Sequence, residues 1–323
     1  MKILVTGGAG YMGSVLTRLL LTSGQEVRVL DSLLYGGRSL LGLYHEEGFH
    51  FVRGDIRSAS VAEQALDGVA VVVHLAAVVG DPACARQPKL AQEINQDASL
   101  QLFDLCQREG VQRFVYASTC SNYGRMTDTT DYLNEDSVLR PVSLYAETKV
   151  AVERALLKSS TSSGPTVSVL RFATLFGLSP RMRFDLTVNE FTMELITKRK
   201  VTVYGKQFWR PYIHVLDAAR AIALVLNSPA GKVDGQAFNV GETTQNYQKA
   251  QLVDLIRAQI GHQNQVDYVQ KTEDPRDYRV SFEKIKQELG FRITRTVDTG
   301  VREIADAISQ GLITDLDNPT YRN

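Results

Sequence analysis

The stretch Lys2-Ile-Leu-Val-Thr-Gly-Gly-Ala-Gly-Tyr-Met-Gly13 decides the fold. Ile3, Leu4 and Val5 make a short apolar strand, and Gly7, Gly10 and Gly13 follow at even spacing. A helical pattern then begins at once with Val15, Leu16, Leu19 and Leu20. Glycine is needed where a strand turns sharply into a helix and where backbone must approach a pyrophosphate. The charge of that group is then held by the N–H groups opening the helix. Such a fingerprint has meaning only between a strand and a helix, and both flanks are present. A second strand over 26–30 ends in Asp31, close to the offset where a carboxylate takes the adenosine ribose hydroxyls. The same carboxylate repels a 2′-phosphate, so the pattern predicts a dinucleotide site for NAD rather than NADP.

Outward from this stretch, apolar strands are expected over 49–53, 69–74, 113–117 and 166–171. Amphipathic helices alternate with them over 60–66, 89–108 and 143–159. That alternation is the pattern of a parallel sheet covered on both faces. Residues 33–48 have no legible structure. Past Gly177 the alternation weakens to a helix over 188–197 and strands over 201–204 and 212–215. A helix over 216–226 and a strand over 237–240 read as a return to the main sheet. Helices over 249–260, 282–289 and 299–310 complete the chain. The expected class is α/β, a Rossmann-type doubly wound parallel sheet with a smaller, interleaved C-terminal α/β substrate-binding lobe. Residues 1–175, with return elements about 211–240, would hold the dinucleotide, and 176–323 the substrate, in a cleft between lobes.

The chain has 323 residues, long enough for a sizeable core. Its 36 lysines and arginines balance 36 acidic residues, so nothing calls for nucleic acid or an anionic membrane as partner. Cys84, Cys106 and Cys120 lack metal-ligand spacing; no metal and a reducing compartment are expected. The chain opens on a core strand and has no apolar run long enough to span a bilayer, so a cytoplasmic protein without a signal peptide is expected.

Tyr145 and Lys149 lie four apart in Ser143-Leu-Tyr-Ala-Glu-Thr-Lys149, which puts both on one helix face. A phenol is a poor proton acceptor at neutrality, and a nearby ammonium favours the phenolate. The preceding strand runs into Ser118-Thr119-Cys120-Ser121-Asn122-Tyr123-Gly124. This polar stretch sits at the carboxyl end of a strand, where open α/β sheets bind ligands. A threonine hydroxyl there reaches the same substrate oxygen that the tyrosine serves. Phe208, Trp209 and Tyr204 serve equally well as core or as nucleobase contacts, and His214 on an apolar strand reads as structural.

Taken together, these features resemble the extended short-chain dehydrogenase/reductase family, in its nucleotide-sugar epimerase, dehydratase and reductase branch. Thr6-Gly-Gly-Ala-Gly-Tyr-Met-Gly13 is similar to the family's cofactor loop and Gly54-Asp-Ile56 to its adenine contact. His74-Leu-Ala-Ala77 is similar to the loop passing the nicotinamide, and Asn95 matches a family asparagine. Tyr145-Ala-Glu-Thr-Lys149 matches its Tyr-x-x-x-Lys motif, with Thr119 at the catalytic Ser/Thr position. The resemblance implies NAD held by Gly7, Gly10, Tyr11, Met12, Gly13, Asp31, Ser32, Asp55, Ile56, Leu75, Ala76, Ala77 and Asn95, with Tyr145 and Lys149 shared with catalysis.

The second half resembles the branch too. Leu170-Arg-Phe-Ala-Thr174 is similar to the segment leading into the sugar pocket. Trp209-Arg-Pro-Tyr-Ile-His-Val-Leu-Asp217 is similar to a signature whose arginine contacts the nucleotide diphosphate. Val79, Cys120, Ser121, Thr174, Asn189, Arg210 and Arg276 become the implied substrate contacts, Arg276 alternatively pairing within Glu273-Asp-Pro-Arg-Asp277. The branch's 4,6-dehydratases carry Asp-Glu where this chain has Cys120 and Ser121, which argues against classical dehydration. The expectation is therefore an NAD-dependent nucleotide-sugar 4-epimerase working through a transient 4-keto sugar. A 4-keto-sugar reductase and a non-catalytic dinucleotide-binding regulator are the alternatives. A homodimer through Leu100, Phe103, Val150, Leu156 and Leu157 is also implied.

Overall fold

The computed structural model describes residues 1–126, 131–159, 164–261, 264–271 and 276–323. The first half lays down β1 (Lys2–Thr6), α1 (Tyr11–Thr22), β2 (Glu26–Asp31), β3 (Phe49–Arg53), α2 (Ala59–Leu66) and β4 (Val71–His74). Helices α3 (Asp81–Arg86), α4 (Pro88–Gln92) and α5 (Ala98–Arg108) precede β5 (Arg113–Thr119), α6 (Leu144–Ser159) and β6 (Thr166–Phe172). The second half contains β7 (Thr174–Phe176), α7 (Thr187–Thr197), β8 (Lys200–Tyr204), β9 (Trp209–His214), α8 (Val215–Asn227), α9 (Ala230–Val233) and β10 (Gln236–Val240). It closes with β11 (Asn246–Gln248), α10 (Lys249–Ile260), β12 (Gln265–Val269), α11 (Glu283–Leu289) and α12 (Val297–Ser309).

Seven strands form one sheet in the order β10-β6-β5-β4-β1-β2-β3, and every pairing in it is parallel. The expected doubly wound sheet is present. Successive strand residues point to opposite faces, and the core divides accordingly. Ile3, Val5, Val71 and Val73 pack with Leu16 of α1 and Ile222 of α8. Leu4, Val72, Phe114 and Val169 pack on the other face with Ala62 of α2, Leu102 of α5 and Val152 of α6. Each valine, leucine, isoleucine or phenylalanine side chain among these, fully buried, contributes about 1.5–3 kcal/mol. Chain order reverses beside β1, between β2 and β4, so a crevice opens at the carboxyl ends of β1 and β4.

Three strands, β11-β9-β7, make a second sheet, and β12 pairs with β8. The return to the large sheet runs through α8, which packs on α1, and β10, which pairs with β6; β9 stays in the small sheet. The helix expected over 89–108 is three pieces, because residues 93–97 form a wider turn between α4 and α5. Residues 38–43, within the stretch that had no legible structure, form a tight helix of about two turns at three residues per turn. Of the five residues expected at a dimer face, Phe103, Val150 and Leu156 are buried in the chain's own structure, which leaves only Leu100 and Leu157 half-buried. Among the described residues no helix is long and apolar enough to cross a membrane.

Candidate active site

The glycine loop shapes the floor of the site. Gly7 has φ +73°, and a Cβ there would lie 2.8 Å from the Ala76 nitrogen. A Cβ on Gly13 would collide with the Gly7 carbonyl. No side chain caps the start of α1. The backbone is thus arranged as a cradle for an anionic group, as a bound dinucleotide requires. At the end of β2, Asp31 accepts N–H bonds from Ala9 at 2.9 Å and Leu33 at 2.8 Å. Burial lifts its carboxyl above the usual range, against the pull of those two donors. Next to β3, the Arg57 guanidinium holds the Asp55 carboxyl below the usual range and also pairs with Glu93 at 2.7 Å.

A polar chain that sequence reasoning left out supports the loop that follows β4. The Thr6 hydroxyl bonds His74 Nδ1 at 2.7 Å and accepts N–H bonds from Leu75 and Ala76 at 3.2 Å. His74 Nε2 meets the Ser99 hydroxyl at 2.8 Å, and burial drives the imidazole pKa down to about 3.

Thr119 ends β5, where its hydroxyl accepts from the Ser121 N–H at 3.1 Å, while Tyr145 and Lys149 project from α6. The Lys149 ammonium donates to the Ala117 carbonyl at 2.8 Å and lies 4.7 Å above the Tyr116 ring. Burial pushes its pKa down to about 8. The phenol of Tyr145 moves the other way from the expected lowering: burial raises it, and the charge of Arg183 pulls it partly back. Desolvation therefore outweighs the attraction of Arg183 in the free chain.

One cleft of about 700 Å³ is lined by Gly7, Gly10, Tyr11, Met12, Gly13, Asp31, Ser32, Asp55, Ile56, Leu75, Ala76 and Ala77. Thr119, Tyr145, Lys149, Val79, Ser121, Thr174, Arg210 and Arg276 line the same cleft. Arg210, on the central strand β9 of the small sheet, donates to the Trp209 carbonyl at 2.6 Å and lies 5.4 Å over the Tyr278 ring. Arg276 pairs with Asp81 at 3.0 Å; within the run 273–277, Asp277 accepts from the Trp209 N–H at 2.8 Å, and residues 273–275 lie outside the described residues.

Three residues read as contacts lie beneath the cleft instead. The Asn95 amide is spent on the Val78 backbone, accepting at 2.7 Å and donating at 2.9 Å, so it props the loop. Asn189 accepts from the Gly177 N–H at 3.0 Å and donates to the Tyr11 hydroxyl at 3.1 Å and the Arg183 carbonyl at 2.9 Å. Cys120 donates to the Arg171 carbonyl at 3.2 Å, and burial pushes its thiol far up, so it is held within the protein rather than at the cleft surface. His214 is structural: it accepts from the Leu216 N–H at 3.2 Å to cap α8 and meets Glu303 at 2.7 Å. Sequence reasoning missed Arg181, Arg183, Asp185, Tyr278 and Asn323, which all line the cleft. Its only available signal was three charges close together in Arg181-Met-Arg-Phe-Asp185, within an irregular segment.

A reversed-order parallel sheet with Thr119, Tyr145 and Lys149 gathered at its carboxyl edge defines an extended short-chain dehydrogenase/reductase. The chain belongs to the NAD dependent epimerase/dehydratase family, whose model matches residues 3–241. It is 30% identical over 331 residues to a UDP-glucose 4-epimerase of Corynebacterium glutamicum, covering 97% of each chain. A dTDP-glucose 4,6-dehydratase of Streptomyces niveus is 31% identical over 304 residues, covering 90% of this chain and 88% of that one. Among solved structures, the Thermus thermophilus UDP-glucose 4-epimerase complex with NAD matches with a TM-score of 0.84 at 28% identity. That match covers 97% of this chain and all of the other. The Streptomyces venezuelae dTDP-glucose 4,6-dehydratase with NAD and TYD bound matches with a TM-score of 0.86 at 28% identity, covering 98% and 100%.

Proposed function

We propose that this enzyme is an NAD-dependent epimerase that inverts carbon 4 of a nucleotide-diphosphate sugar. The observation that carries the reading is one cleft lined both by the Thr119, Tyr145 and Lys149 set and by Arg210 and Arg276. Residues 1–175 would serve the dinucleotide and 176–323 the nucleotide sugar. The backbone of residues 7–13 would hold the cofactor pyrophosphate and Asp31 its adenosine ribose. Bound NAD supplies a hydride acceptor and, after the sugar has turned, a hydride donor. The Tyr145 oxygen takes the proton of the 4-hydroxyl and later returns it to the 4-keto sugar's oxygen. Thr119 bonds that same oxygen, while the Lys149 ammonium favours the phenolate electrostatically. Arg210 and Arg276 grip diphosphate oxygens, for which the planar guanidinium fork is suited.

The relatives include dehydratases, but this chain offers only a buried thiol and Ser121 where those enzymes, by resemblance, carry an acid and a base. The test is an NMR screen of uridine and thymidine diphospho-sugars with purified protein. Redox-neutral interconversion of two 4-epimers is expected, with Tyr145→Phe slower by roughly 10²–10⁴-fold. Stoichiometric NADH consumption with a 4-keto sugar would instead identify a reductase. Unchanged function in Tyr145→Phe would point to a non-catalytic dinucleotide-binding regulator.

A further inference from the structure

Arg181 is a cation that the proposed chemistry does not use, on the lobe opposite the glycine loop. It is 5% exposed, lines the cleft, and its Nε has no hydrogen-bond partner. The rest of its head is fixed. The guanidinium carbon lies 4.0 Å over the Tyr35 ring, and one Nη donates to Asn323 Oδ1 at 2.7 Å and the Arg322 carbonyl at 3.3 Å. A buried guanidinium donor left unpaired is costly unless a ligand satisfies it.

The backbone before Arg181 is pinned to the opening of α1. The Ser179 hydroxyl donates to the Tyr11 carbonyl at 2.6 Å and accepts from the Arg181 N–H at 3.3 Å. Two residues further back in this run, the Gly177 carbonyl accepts from the Tyr11 hydroxyl at 2.6 Å. The segment that carries Arg181 into the cleft is thereby tethered to the same helix start whose backbone forms the anion cradle. Charged neighbours are Arg183, whose repulsion adds to burial in lowering the guanidinium pKa to about 10, and the acidic Asp185 and Asp31. An anion at this point would relieve the repulsion between two buried cations.

We propose that the dinucleotide site extends onto the second lobe, with Arg181 closing over the bound pyrophosphate through its Nε and Tyr35 serving as its platform. The proposal rests on the NAD site of the function above but not on which sugar reaction follows. Arg181 thereby joins the two sides of the cleft through the cofactor and slows its release, which suits an enzyme that regenerates its cofactor at each turnover.

Calorimetric titration of the full chain, stripped of nucleotide, tests this with NAD, ADP-ribose and adenosine as probes. Arg181→Gln is expected to weaken NAD and ADP-ribose by about tenfold or more, the loss of one charge-assisted hydrogen bond. Adenosine should bind as to the parent. The salt dependence of NAD affinity should become shallower, and Arg181→Lys should recover part of the loss. Tyr35→Leu, which leaves the charge in place, should weaken NAD less than Arg181→Gln. Parent-like NAD affinity and salt dependence in Arg181→Gln would overturn the clasp while leaving the NAD site standing. An equal loss for adenosine would also overturn it, since Arg181 would then act on the nucleoside end alone. If the parent itself failed to bind NAD, the reading of the whole site would fall with it.

Discussion

Lys149 sets the pH behaviour of the cleft. Burial lowers its pKa from the ordinary lysine value to about 8, so the side chain is charged below that pH and neutral above it. If the ammonium favours the Tyr145 phenolate, turnover falls as pH rises through about 8. Lys149→Arg keeps the charge at every working pH, because a guanidinium does not deprotonate. That variant is expected to be slower overall but to lose its alkaline decline, as read from kcat against pH on an interconverted sugar nucleotide. A decline still centred near 8 would assign it to another group. At this scale the spacing of Tyr145 and Lys149 and the polar strand end at Thr119 were readable, because helix period and strand direction fix where such side chains emerge. Asn95, Cys120 and Asn189 match ligand positions by residue type, but their side chains turn inward to backbone partners distant in sequence. Arg181 and Arg183 escaped notice for the converse reason: an irregular segment has no period to say which side faces the cleft.

Helix α6, which carries Tyr145 and Lys149, is held in place by a buried ion pair. Glu153, two turns beyond Tyr145 on α6, accepts from Arg171 Nε of β6 at 2.9 Å and from the Ser118 hydroxyl of β5 at 2.8 Å. Arg171 also donates to the Tyr123 hydroxyl at 2.8 Å, which passes on to Asn239 of β10 at 2.7 Å. Four elements are thus tied together around the helix that carries Tyr145 and Lys149. Glu153→Gln would leave Arg171 buried without its counter-charge, and breaking such a pair costs about 3–5 kcal/mol. A fall of that size in urea-unfolding stability is expected, largely recovered in the double variant Glu153→Leu with Arg171→Met. Equal stability of the single variant and the parent would show that water or rearrangement replaces the contact. The sequence conveyed the strands and long helices of this layer, whose apolar patterns extend over several turns. It did not convey β7, β11 and β12, or α3 and α9, each three to six residues long. Nor did it reveal the wider turn over 93–97, since an inserted backbone turn leaves the apolar pattern on either side intact.

Across the whole molecule, the two lobes share structure that the chain order alone does not separate. The outer strand of the large sheet on the β6 side is β10, contributed by residues well past the glycine loop's half, and its register pairs Phe238 with Leu170 and Asn239 with Arg171. The face of α1 that carries Leu16 and Leu20 shares its core with Ala218, Ile222 and Val225 of α8. Cutting the chain after residue 175 would therefore strip the β6 edge of its backbone partners and expose the apolar face of α1 at once. Open edges and large apolar patches of this kind favour association over folding. A fragment of residues 1–175 is expected to show no cooperative thermal transition by circular dichroism, although it contains the complete glycine loop. The full chain should instead melt in a single transition. NAD at about 100 times its dissociation constant should add about 2.7 kcal/mol to the full chain, because only the folded form binds it. A fragment that melts cooperatively and is shifted by NAD to the same extent would show that β10 and α8 merely cover the dinucleotide half. A missing transition in the fragment, with one NAD-shifted transition in the full chain, would show that the second half completes the sheet on which the cofactor cradle is built.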